Sequence, residues 1–159
     1  MIHIEEIPVE RINEFWDIHF DYLIQDEVIS EDEDKEYFQS EEYRSVIKDH
    51  MLRNIDKHHL AYFVEDHIRL GAVSYCTYQS EDGTCFIMDF WVFPQFRGNG
   101  IGHRCFDALA SDTQKDGAFY YEINCDGRDD RMRFWKSLGF VERGLDEYGV
   151  NLLIKDNMQ

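Results

Sequence analysis

Phe90-Trp91-Val92-Phe93-Pro94-Gln95-Phe96-Arg97-Gly98-Asn99-Gly100-Ile101-Gly102 reads as an apolar strand, a proline-marked turn and a glycine-rich loop that opens a helix. Three glycines at alternate positions leave their amides uncovered by side chains. Those amides fall where a helix begins, so they are orphan donors at the positive end of its dipole. Such a loop holds a phosphate or pyrophosphate, and Arg97 adds a fixed positive charge at its mouth. The spacing excludes two common phosphate loops. A lysine-ended loop needs GxxxxGK[ST], and no Lys follows Gly102. A dinucleotide fingerprint needs GxGxxG, but His103 stands where the third glycine belongs. About 60 residues remain after Arg97, too few to complete a doubly wound sheet.

A second segment, Arg133-Phe134-Trp135-Lys136-Ser137-Leu138-Gly139-Phe140, reads as the end of a short helix that a glycine terminates before a strand. Together, R-x-x-G-x-G at 97–102 and this late F-W-x-x-x-G-F resemble the coenzyme loop and late helix-to-strand signature of the GCN5-related N-acetyltransferases (GNAT). The two motifs occur in that family's order and at about its spacing, and the resemblance covers roughly residues 60–155. It implies acetyl-coenzyme A as cofactor. It also implies cofactor contacts at Trp91, Val92, Phe93, Arg97, Gly98, Asn99, Gly100, Ile101, Gly102, Trp135 and Lys136. The family's late tyrosine, which protonates the leaving thiolate, is here Trp135, and the family's asparagine six residues before the Phe is Arg128. Trp135 then reads either as a core aromatic beside Phe134 and Phe140 or as a wall against the pantetheine arm.

The chain has 159 residues and the apolar content of a single globular domain spanning 1–159. No apolar run reaches membrane-spanning length, and the first residues carry no positive n-region. Cysteines at 76, 85, 105 and 125 form no CxxC pair and read as reduced, mostly buried thiols of a cytoplasmic protein. No Cys/His spacing fits a metal site. The net charge is −17, from 16 Lys and Arg against 33 Asp and Glu. That argues against nucleic acid and either favours cationic ligands or serves solubility alone.

Periodicity sets a first strand over 2–7, then a helix over 9–23 with Ile12, Phe15, Trp16, His19, Phe20 and Leu23 on one face. The acidic stretch 26–36 reads as a solvated loop. Ser40 starts a second helix that carries Tyr43, Val46, Ile47, His50 and Met51 inward. Strands follow at 60–64, 72–78 and 85–93, a helix at 100–116, a strand at 118–124, a helix at 129–137, and strands at 141–142 and 150–154. The expected fold is mixed α/β: a mostly antiparallel sheet of six or seven strands with helices on both faces. The resemblance adds a splay between the fourth and fifth strands.

Acetyl transfer needs an uncharged amine, and a lysine-like amine of pKa about 10.4 is free base in about one part in 2,500 at pH 7. A general base helps. Asp89, next to the loop on the strand, is the first candidate, and Glu122 on the facing strand is the second; each also reads as an ordinary strand carboxylate. Tyr148 or Tyr121 is the candidate proton donor in place of the missing tyrosine. The aromatic cluster of the first helix reads as core, with its Tyr and His members at the pocket margin. The expected function is N-acetyl transfer to a primary amine, a small cationic one by the charge argument. The alternative is a non-catalytic acyl-coenzyme A sensor or interaction module on the same fold. The expected partners are a small-molecule amine, with no nucleic acid and no membrane; a homodimer is compatible with the family.

Overall fold

The structure, a computed structural model, describes residues 1–156. Its elements are β1 His3–Glu6, α1 Ile12–Gln25, α2 Asp32–Phe38, α3 Glu41–Met51, β2 His58–Glu65, β3 Ile68–Thr77 and β4 Thr84–Val92. After these come α4 Ile101–Lys115, β5 Tyr120–Cys125, α5 Asp129–Ser137, β6 Val141–Leu145 and β7 Asn151–Asp156. The seven strands form one sheet in the order β1-β2-β3-β4-β5-β7-β6. Every neighbouring pair is antiparallel except β4–β5, which α4 connects as a parallel crossover.

Two cores lie on opposite faces. On one, α4 contributes Cys105, Phe106 and Leu109, and α5 adds Met132 and Trp135. On the other, α1 and α3 contribute Phe15, Trp16, Tyr43 and Ile47, which meet Leu60, Tyr62 and Trp91 of the sheet. All four cysteines are buried and unpaired.

A single extra residue in β4 shapes the centre of the sheet. Ser74 of β3 faces Asp89, yet the next residue, Tyr75, faces Ile87, so Met88 is bulged out. Side chains alternate with period two along a strand, and the bulge shifts the phase. Cys85 and Ile87 therefore lie on the α4 face together with Phe90 and Val92, whereas Trp91 and Phe93 turn toward α1. Pairing of β4 with β5 covers only Thr84–Phe86 against Tyr120–Glu122. Beyond that point the strands part, which is the expected splay.

The acidic stretch is not a loop throughout. Asp32–Phe38 is helical, with Asp32, Glu33 and Asp34 in its first turn, where the helix dipole favours negative charge. Phe38 anchors this helix against Tyr43, with ring centroids 4.9 Å apart. α3 starts as read, the Ser40 hydroxyl accepting from the Tyr43 amide, but Val46 is exposed rather than inward.

Candidate active site

The loop after β4 supplies the donors that its sequence promises. The Ile101 amide turns back to the Gly98 carbonyl, and the Arg104 amide bonds Gly100. Among the described residues, the amides of Gly98, Asn99, Gly100, Gly102 and His103 donate to no protein acceptor. Gly98, Asn99 and Gly100 all have positive φ, and a Cβ built on Gly98 or Gly100 meets nothing within 4 Å. The space above them is open, and five unspent donors converge at the head of a 15-residue helix. This set fits a pyrophosphate. Gly102 is glycine for another reason: a Cβ there would come within 2.7 Å of the Phe134 ring.

Arg97 does not stand free at the mouth. Its Nε donates to the Val92 carbonyl at 2.8 Å, and its Nη2 pairs with Asp26 at 2.6 Å. Asp26 ends α1, and its carbonyl also accepts from Arg128 and Arg131 at the start of α5. Three arginines from the two loops that flank the splay thus close on one residue. Arg128 further pairs with Asp130 and Glu27, and Arg131 with Asp126. Most carboxylates of this region are therefore already balanced by an arginine.

A cleft of about 830 Å³ runs through the splay. Phe90, Val92, Ile101, Phe134 and Trp135 give it an apolar wall below the loop. Trp135 packs in the core, with centroids 5.1 Å from Phe140 and 5.3 Å from Phe90, and also lines the cleft. Trp91 also lines the cleft, stacked on Tyr22 at 4.2 Å and 8°. Phe93 lies instead at a smaller cavity on the α1 side. Lys136 is half exposed, pairs with Glu142 and does not line the cleft.

Asp89 lines the cleft just beyond the bulge. Its Oδ2 lies 3.0 Å from Nε2 of His19, a histidine 1% exposed on α1. Among the described residues Oδ1 has no hydrogen-bond partner, yet it is not among the fully buried unpaired atoms, so it keeps contact with the cleft. Glu122 is half-buried on β5 away from the cleft lining, its carboxyl pushed up by burial. Tyr148 is 82% exposed on the β6–β7 hairpin. Tyr121 is buried, its hydroxyl on Thr113 at 2.7 Å. Neither tyrosine lines the cleft; the phenol that does is Tyr22, pushed up by burial. The sequence reading placed His19 and Tyr22 in an aromatic cluster. Nothing local to residue 19 announces a partner 70 residues away.

No functionally described protein matches the chain in a sequence comparison. Solved structures match its fold. An N-acetyltransferase, PaiA, from Thermoplasma acidophilum in complex with coenzyme A is 14% identical, with a TM-score of 0.73 over 98% of this chain and 99% of that one. An N-acetyltransferase from Staphylococcus aureus Mu50 is 16% identical, with a TM-score of 0.68 and 98% of each chain covered. A ribosomal-protein-alanine N-acetyltransferase from Brucella melitensis is 18% identical, with a TM-score of 0.64 over 95% and 96%. The family described as Acetyltransferase (GNAT) matches residues 13–140. With the open glycine loop, the splay and that match in hand, the chain belongs to the GNAT acetyltransferase family, whose acetyl donor is acetyl-coenzyme A.

Proposed function

We propose that the chain acts as a single N-acetyltransferase domain that moves an acetyl group from acetyl-coenzyme A to a primary amine, a small cationic one. The observation that carries this reading is a single cleft lined both by loop residues with unspent amides and by Asp89, whose Oδ1 has no hydrogen-bond partner among the described residues. The amides of the loop and of the first turn of α4 take the pyrophosphate. Phe90, Ile101, Phe134 and Trp135 line the path for the pantetheine arm. When bound, acetyl-coenzyme A supplies the acetyl group as a thioester.

The remaining work falls to the chain's own side chains. Asp89 faces the acceptor as an ammonium, holds it by charge and takes its proton, directly or through water. Tyr22 and Trp91, stacked face to face, line the same cleft as that carboxylate, and an aromatic surround suits a cation. No side chain of the cleft replaces the family's tyrosine in an obvious way, and a thiol of pKa about 8.5 leaves as thiolate without a dedicated acid far more readily than an alkoxide would.

Thiol release from acetyl-coenzyme A with polyamines, aminoglycosides, amino acids and peptide N-termini tests the reading. Turnover with a cationic amine supports it. Tight coenzyme binding with no thiol release from any amine would favour the non-catalytic sensor that Trp135 keeps in view.

A further inference from the structure

We infer that His19 is a positioning residue for Asp89: its Nε2–H donates to Oδ2, fixes the carboxylate's orientation and leaves Oδ1 to face the acceptor. This rests on the proposed role of Asp89.

The geometry is specific. Oδ2 and Nε2 are 3.0 Å apart, the histidine is 1% exposed, and the carboxylate is only slightly exposed at the cleft. The imidazole is clamped on both faces. It stacks on Phe15 at 4.9 Å and 20°, and lies parallel to Tyr43 at 6.4 Å and 17°. Phe38 meets its edge at 6.1 Å. A ring so held cannot swing away, so its nitrogen marks a fixed point for Oδ2.

An ionised carboxylate only accepts, so the partner nitrogen must carry the hydrogen. The other groups around the pair do not compete for the role. His58 of β2 bonds Ser74, which faces Asp89 across β3, at 2.6 Å, and burial pushes its imidazole down to about 4. It is neutral at physiological pH. The phenols of Tyr22 and Tyr43 are pushed up by burial and remain protonated. Arg97, Arg131 and Asp26 act on Tyr22 from the loops, Arg44 acts on Tyr43, and each of those loop arginines is tied to a carboxylate. His19 is the one group in this set that contacts the carboxylate directly.

A packing role and a positioning role make opposite predictions for two substitutions. His19→Phe keeps a flat ring between Phe15 and Tyr43 but removes the donor. His19→Gln loses the ring but keeps an N–H donor at the same reach. We expect His19→Phe to lower kcat by about 10²-fold, the scale of a misplaced reacting group, with the KM for acetyl-coenzyme A unchanged. His19→Gln should stay within a few-fold of wild type. Long-range 1H–15N spectra of the wild-type protein, which need no ligand, should show His19 protonated at Nε2, with that signal displaced in Asp89→Asn. If His19→Phe turns over like wild type while Asp89→Asn is inactive, or if the hydrogen sits on Nδ1 alone, the assignment of His19 falls. If Asp89→Asn turns over like wild type, the reading of Asp89 itself falls.

Discussion

Replacing Gly100 with Val separates the fold from the cofactor site. Gly100 has φ +74, and a side chain built there meets no protein atom within 4 Å. Steric damage to the fold is therefore absent, and the cost is backbone strain, roughly 1–2 kcal/mol for an L-residue in the left-handed region. For a chain of this length that lowers Tm by about 2–8 °C, well inside a total stability of about 5–15 kcal/mol. The added side chain stands on the loop whose amides are unspent. Each hydrogen bond to a charged phosphate contributes about 1.5–3 kcal/mol. Losing two weakens coenzyme A binding by about 3–6 kcal/mol, or about 10²–10⁴-fold in Kd. Calorimetry with coenzyme A and a thermal melt on the same sample give both numbers. A Kd within threefold of wild type, in a variant that melts as expected, would refute the placement of the pyrophosphate on this loop. Gly102→Ala makes the contrast: its Cβ runs into Phe134 at 2.7 Å, so overpacking of about 1–3 kcal/mol appears in the melt.

Asp89→Asn should keep coenzyme affinity and lose turnover, with the loss shrinking at high pH where the amine sheds its own proton; identical pH–rate profiles would make Asp89 structural and bring Glu122 forward. For a cationic amine, kcat/KM should fall as salt rises from about 10 mM to about 0.15 M, where the Debye length drops from about 30 Å to about 8 Å, while kcat holds. Replacing Glu31, Asp32, Glu33 and Asp34 by Asn or Gln should reduce that slope, and a neutral amine that outperforms all cationic ones would assign the acidity to solubility. Stability should fall in acid through His58, whose buried imidazole sits at about 4, below its ordinary value. The unfolded chain then binds more protons than the native one, so stability is present above about 6.5 and is lost as pH falls toward 4. At pH 5 the loss is about 2 kcal/mol, and urea titrations at pH 7 and 5 should show it shrinking in His58→Gln.

What could be read from the sequence was local. The 97–102 loop announces itself because a helix cap and a run of small residues are both short-range features, and Asp89 stands out as the one charge in an apolar strand. The acidic segment 26–36 hid α2, because only Tyr37 and Phe38 mark its apolar side, and the anchor they find, Tyr43, is a tertiary contact. Gly102 was read as an uncovered amide, and its amide is indeed unspent, but its side-chain position is set by Phe134, 32 residues on. His19 and the Asp26 clasp escaped for the same reason: each joins residues 70 or more apart. Sequence pattern reports which face of an element is apolar. It does not report which polar group on another element comes to meet it.

The bulge at Met88 was also invisible, and it organises the site. The run Phe86-Ile87-Met88-Asp89-Phe90-Trp91-Val92 is apolar on every residue but one, so alternation has no contrast from which to read a change of phase. Yet that change puts Asp89 on the α1 face, opposite His19, while Phe90 stays on the α4 face against Trp135. Deleting Met88 would restore plain alternation. Without Met88, Ile87 and Asp89 become neighbours and still face Tyr75 and Ser74 in continuous register, so Cys85, Ile87, Phe90 and Val92 keep the α4 face while Asp89 and Trp91 keep the α1 face. Trp91 then keeps its stack on Tyr22. The deletion variant should therefore fold with a Tm near that of wild type and lose only the bend and extra local twist that the bulge gives β4. A deletion variant that fails to fold, or whose tryptophan fluorescence no longer reports the Trp91 stack, would show that Met88 does more than offset the pairing.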